Sequence, residues 1–388
     1  YRRQRQMCIR DSYYVGWFLT IIYYPCLTSV LSWLSARYTL VFITSIAPDF
    51  PLLGLGAAAG AETVLGPECM SLAMFYMCCV YAVNALSPKL AGKLQVSATI
   101  IKLIPLFLMA VVGIIVGLAN GTLANNFNTL ADVGTTSTNP LFASVCATAF
   151  AYEGWIIATS INAELKDAKK NLPRALVIGA IIIIATYIFY YVGVAGGATN
   201  QELIDSGATV AFINVFGNVL GNILNLFIAI SCIGTMNGLM LGCVRGLYSI
   251  AVRGRGPAPH VFSQIDKETN MPHNSAIVGL LLCGFWGLYF FLANLAGTWS
   301  GPFVFDSSEL PIITIYMLYL PIFVMWIKKA TDETAMRRYV LPLLAICGSL
   351  FMIYASIMGH GIACFWYLIV FAAVMAVGFA FSKEKPIN

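Results

Sequence analysis

Residues 141–163 read LFASVCATAFAYEGWIIATSINA, an apolar run interrupted at its centre by Glu153 and Gly154. At about 1.5 Å per residue, a helix over this run crosses a hydrocarbon core of about 30 Å. Further apolar runs occupy 13–46, 69–86, 94–119, 175–197, 216–243, 276–296, 303–327, 340–358 and 361–381. Lipid offers backbone groups no partners, and these runs lack the alternation of barrel strands, so all ten are predicted as helices. The expected fold class is an all-α membrane protein.

Composition agrees. The chain has 388 residues, 59% apolar and 10% charged, with a mean hydropathy of +0.81. Soluble domains carry about 25% charged residues, so this chain cannot cover a water-facing surface. The net charge of +5 sits in short segments between apolar runs, without the aromatic-interleaved basic stripe of a nucleic-acid binder. Eleven cysteines are scattered with no CxxC or Cys/His ligand spacing, so no metal or cofactor is expected.

The basic residues orient the spans. With Tyr13 taken as cytoplasmic, the outer loops 47–68, 120–140, 198–215, 297–302 and 359–360 hold no Lys or Arg. Sixteen lie on the opposite side, from Lys89 and Lys93 to Lys383 and Lys385. The asymmetry predicts a multi-pass protein of the cell membrane with both termini cytoplasmic. Residues 1–12 read as a non-native tail, because Met7-Cys8-Ile9-Arg10-Asp11-Ser12 resembles a translated library adapter. A native basic juxtamembrane segment is the alternative. The first reading implies that the natural protein continues upstream of Tyr13.

Charged groups inside spans are costly and point to function or to pairing. Arg37, Lys102, Glu153, Asp306 and Glu309 are the candidates. Asp306 and Glu309 fall near the outer end of span 303–327, as wetted end residues or as vestibule groups. Arg37 is placed to snorkel outward or to touch substrate. Lys102, one turn before Pro105, either snorkels to cytoplasmic water or holds an ammonium in the bundle that can release a proton. Glu153 beside Gly154 predicts a mid-membrane break, whose exposed N–H and C=O groups suit the carboxylate and ammonium of a zwitterion. The alternative is a continuous helix with Glu153 in a polar helix contact.

The stretch Phe150-Ala151-Tyr152-Glu153-Gly154-Trp155, followed by Lys170-Asn171-Leu172-Pro173-Arg174-Ala175, resembles the sixth helix and following loop of the amino acid–polyamine–organocation superfamily. The resemblance is to its L-type amino-acid transporters in particular. Ser231-Cys232-Ile233-Gly234-Thr235-Met236-Asn237-Gly238, then Arg245 and Gly254-Arg255-Gly256-Pro257, resembles the eighth helix and its basic loop. The resemblance spans about 13–388. It implies a LeuT-like inverted-repeat bundle with ten of twelve helices present: 13–119 as helices three to five, 141–327 as helices six to ten, and 340–388 as the last two helices and a tail. The family's first helix, with its Gly-rich break, has no counterpart here; Gly54-Leu55-Gly56 lies in an outer loop.

The resemblance further implies that Phe150 closes over the substrate and that Ala151, Tyr152, Glu153 and Gly154 form the unwound segment. Asn237 matches a polar eighth-helix position near the substrate, and Tyr23, with Leu27 and Leu31, a site-facing stripe on the third helix. Both also read as ordinary helix packing. Lys102 resembles a lysine that takes a sodium ion's place in sodium-independent members. Cys243-Val244 departs from the small hydroxyl residues common before Arg245.

The expected function is secondary transport of an amino acid, by proton-coupled symport or exchange. The expected partners are the amino acid, protons and membrane lipids, with no nucleic acid and no obligate protein subunit. A sensor on the same fold is the alternative. An intramembrane enzyme fits less well, because His260, His273 and His360 fall in predicted loops and no GxSxG or HExxH motif occurs.

Overall fold

Pro25 interrupts the first apolar run and shows how these helices are held. Helix α1, Tyr13–Ile46, widens to π geometry over Leu19–Tyr23 just before that proline. Proline has no N–H to offer the Ile21 carbonyl four residues upstream. That carbonyl instead accepts the indole N–H of Trp286 at 2.9 Å.

The computed structural model describes residues 13–47, 67–129, 139–152, 154–155, 167–296, 299 and 301–384. After α1 come α2 (Pro67–Leu86), α3 (Lys89–Ala119), α4 (Thr122–Asn128) and α5 (Pro140–Tyr152). Then follow α6 (Ala168–Gly197), α7 (Asn200–Ser206), α8 (Ala208–Phe216), α9 (Asn218–Ala251) and α10 (Pro259–Phe262). Last are α11 (His273–Leu295), α12 (Leu310–Lys329), α13 (Met336–His360) and α14 (Ile362–Ala380). Among the described residues there is no strand, and nine helices are long and apolar enough to cross a membrane.

The chain divides into two compact units. The first contains residues 1–27, 136–153 and 242–388. In it Trp17 Nε1 donates to Val374 O at 2.9 Å and the Tyr13 hydroxyl to Gly378 O at 2.8 Å, fixing α1 to α14. Gly378 leaves room for the Trp17 ring, which a Cβ there would meet at 2.5 Å. The second unit contains residues 28–135 and 154–241. Its tightest seam joins α3 to α6, where Gly113 and Gly117 approach Gly193 and Gly196. Small residues let two backbones meet, so dispersion and weak polar contacts replace the hydrophobic effect that lipid removes. Asn126 closes the end of α6, donating to the carbonyls of Ala195 and Ala198 at 2.7 Å each.

Two predicted boundaries and the placement of the histidines change. The span expected at 216–243 continues as helix to Ala251, which brings Arg245 into α9. The span expected at 303–327 begins as helix only at Leu310. Its first residues are irregular because side chains satisfy their backbone: Tyr289 Oη donates to Phe303 O at 2.9 Å and accepts from Phe305 N at 3.0 Å. Asn294 Nδ2 donates to Phe305 O at 2.9 Å. The histidines sit at helix ends or in a short helix, not in loops: His260 in α10, His273 opening α11 and His360 closing α13. Residues 1–12 and Gly54-Leu55-Gly56 lie outside the described residues.

Candidate functional site

Helix α5 has 13 residues, so at about 1.5 Å per residue it reaches only about 20 Å, short of a full crossing. It stops at Tyr152, and Gly154 takes a φ of +114°, which L side chains rarely adopt. Glu153 itself lies outside the described residues. Phe150, Tyr152 and Gly154 are half-buried, and Ala151 is exposed.

Tyr23 is fully buried in the π turn of α1, with its ring edge-on to Tyr24 at 5.5 Å. Leu27 and Leu31 are buried too. This stripe belongs to the packed interior of α1.

Both ends of the Asn237 carboxamide are bonded to neighbouring helices. Its Oδ1 accepts from Asn84 Nδ2 at 2.8 Å, and its Nδ2 donates to Ala91 O and Gln95 Oε1, both at 3.1 Å. The carboxamide therefore ties α9 to α2 and α3, which is the packing role the sequence left open beside substrate contact. Asn84 and Gln95 carry no charge, so the cost of a charge in lipid does not mark them; the signal available for them in the sequence is an uncharged amide within an apolar run.

Lys102 is half-buried and borders a small cleft with Pro105, Leu106, Tyr190, Phe227 and Ser231. It belongs to the same seam as Asn237. Along α3 and α9, running antiparallel, Gln95 meets Asn237, a Cβ at Gly234 would touch Ala98 Cβ at 2.4 Å, and Lys102 shares its cleft with Ser231. Gln95, Ala98 and Lys102 recur at three- and four-residue steps, one helix face. Two positions singled out separately in the sequence thus share one line of contacts. Tyr23, Phe150, Ala151 and Tyr152 belong to the first unit, and Gly154, Lys102 and Asn237 to the second. Arg37 lies over the rings of Trp33 and Tyr38, at 5.5 and 5.6 Å, so aromatic faces hold its charge.

A family profile described as amino acid permease matches residues 10–381. The chain belongs to the amino acid permease family. The permease is 26% identical over 381 residues to the serine/threonine exchanger SteT of Bacillus subtilis (strain 168), covering 95% of this chain and 78% of the relative. It is 28% identical over 271 residues to the Asc-type amino acid transporter 1 of Mus musculus, covering 69% of this chain and 47% of that protein. It is 25% identical over 265 residues to the cystine/glutamate transporter of Homo sapiens, covering 68% and 49%. The permease thus spans about half the length of these animal relatives. The matching relatives are named as amino-acid transporters and exchangers, and the family match together with the nine long apolar helices among the described residues makes this chain a multi-pass membrane protein of the amino acid permease family.

Proposed function

We propose that this permease moves its amino acid by alternating access, as an exchanger or a proton-coupled symporter, in a cell membrane with both chain ends on the cytoplasmic side. The observation that carries the reading is the end of α5 at Tyr152 with Gly154 at a φ of +114°, inside an apolar run. A helix that stops within the bilayer is tolerated where its backbone meets protein, a polar solute or a water-filled cavity. The α-carboxylate and α-ammonium of an amino acid are such a solute. Phe150, one turn before Gly154, supplies the ring that closes over it, and Ala151, Tyr152, Glu153 and Gly154 supply the polar main chain. Asn237 and Tyr23 shape the site through the helices they hold. Lys102, beside Ser231, carries the proton response. Repeats at 13–119 and 141–327 rock against each other in this scheme.

Counterflow tests it. The natural full-length protein is reconstituted in liposomes loaded with unlabelled serine or threonine, and entry of the labelled amino acid is followed. Exchange gives transient accumulation above equilibrium. Proton coupling gives uptake driven by an inward proton gradient, and Lys102→Ala removes that drive. Saturable binding with no flux of either kind would favour the sensor.

A further inference from the structure

Cys146, Glu309 and His360 come from three helical regions of the first unit and meet at one point. Their donor atoms, a thiol sulfur, a carboxylate oxygen and an imidazole nitrogen, all lie within 4.8 Å of one another. His360 Nε2 is 3.1 Å from Glu309 Oε2. This contact is close enough for an ion pair, so Glu309 and Cys146 are the polar neighbours His360 faces among the described residues. We propose that this cluster is a binding site for a divalent transition-metal ion of the zinc class.

The backbone around the cluster brings it together. Cys146 sits on α5, one turn after Ala143, and α13 packs closely there because Gly359 has no side chain. A Cβ at Gly359 would lie 3.3 Å from Ala143 N. The Phe142 and Tyr354 rings, edge to face at 5.3 Å, hold the same two helices. Gly361, with a φ of +53°, ends α13 directly after His360. Asp306 fixes the third ligand: its Oδ1 accepts from Glu309 N at 3.1 Å and from Ser308 N at 2.6 Å, which anchors the residue preceding α12.

The donor set selects the ion. One sulfur, one nitrogen and one oxygen suit zinc, whereas calcium and magnesium take oxygen ligands. A tetrahedral zinc with bonds of about 2.0–2.3 Å holds its ligands about 3.3–3.7 Å apart. The N···O pair, at 3.1 Å, is already near that span, and the sulfur lies within 4.8 Å of both. Cys146 is buried, while Glu309 and His360 keep side-chain exposures of 20% and 14%, so water can reach a fourth position. The bound ion would tie α5 to the ends of α12 and α13, beside the loops predicted to face outward.

Cobalt(II) is the probe, because a thiolate ligand gives it a sulfur-to-metal charge-transfer band that oxygen and nitrogen ligands do not. Purified full chain titrated with Co²⁺ is expected to develop the band at one equivalent and lose it on addition of Zn²⁺. Cys146→Ser is expected to abolish the band, and His360→Gln to weaken binding at least tenfold, both with the wild-type elution profile in detergent. Absence of the band in the wild type overturns the site. So does a band that survives in Cys146→Ser, which would place the metal on other cysteines.

Discussion

Trp286 donates its indole N–H to the carbonyl of Ile21 at 2.9 Å, the carbonyl that Pro25 cannot serve. The bond joins α11 to the π turn of α1 inside the membrane. It converts a helix defect into a tertiary contact. Trp286→Phe keeps most of the ring volume and deletes the donor, at an expected cost of about 1–3 kcal/mol for a buried acceptor losing its partner. Pro25→Ala restores the missing N–H, so in that background Trp286→Phe should cost less. A double-mutant cycle on thermal stability in detergent checks this; equal costs in both backgrounds would mean that Trp286 acts by packing alone.

At the seam of α3 and α6, a Cβ on Gly193 would lie 2.2 Å from Met109 O, and one on Gly196 would lie 2.3 Å from Gly113 O. Both obstacles are backbone, which no rotamer change can move. Gly193→Val should therefore destabilise by more than the 1–3 kcal/mol typical of overpacking. Gly179, on the same α6, has nothing within 4 Å of its Cβ position among the described residues. Gly179→Ala should be neutral or slightly stabilising, since alanine is the better helix former. Melting temperatures of the two variants separate crowding at the seam from a general intolerance of α6 to substitution.

The spans were legible because lipid demands about 20 apolar residues per crossing, a condition written locally in the chain. Where a helix begins was less legible. Phe303-Val304-Phe305 extends the apolar run, yet these residues stay irregular because Tyr289 and Asn294, from another helix, satisfy their backbone. Such help is tertiary and has no local signature. The π turns at Leu19–Tyr23 and Met109–Gly113 are of the same kind. For the candidate site, the mid-run glycine was readable as a break. The pairing of Asn237 with Asn84 and Gln95 required knowing which helices touch. The α3–α6 seam lay between these cases: Gly113 and Gly117, four apart, were a readable close-packing signal whose partner helix was not.

Asp266 organises the loop before α11. Its Oδ2 accepts from Thr269 N at 2.8 Å, Thr269 Oγ at 2.9 Å and Glu268 N at 3.1 Å. The Thr269 N–H, then its hydroxyl, stabilise the charged carboxylate and hold its pKa below the usual aspartate value. A group depressed on folding stabilises above its unfolded pKa, about 3.9 here. That stabilisation is lost as pH falls through the lower folded value. Hydrogen-exchange protection of the Glu268 and Thr269 amides, corrected for intrinsic rates, should therefore decline only below about pH 4. Asp266→Asn should lower protection at neutral pH and remove the pH dependence. Protection that is unchanged in Asp266→Asn would assign the loop's order to other contacts.

Gly154 gives the most direct access to the transport reading. Among the described residues nothing lies within 4 Å of its Cβ position, yet its φ is +114°. Alanine there meets backbone strain of order 1–3 kcal/mol and no crowding from the described residues. The chain can relieve that strain by extending α5 past Tyr152, which consumes the polar main chain proposed to hold the substrate. Gly154→Ala should thus lower amino-acid counterflow at least tenfold while leaving the elution profile unchanged. Adding a side chain at Gly179, which is as uncrowded but lies within the continuous helix α6, should leave flux intact. Wild-type flux in Gly154→Ala would show that the ended helix has no part in substrate binding, whatever the rest of the bundle does.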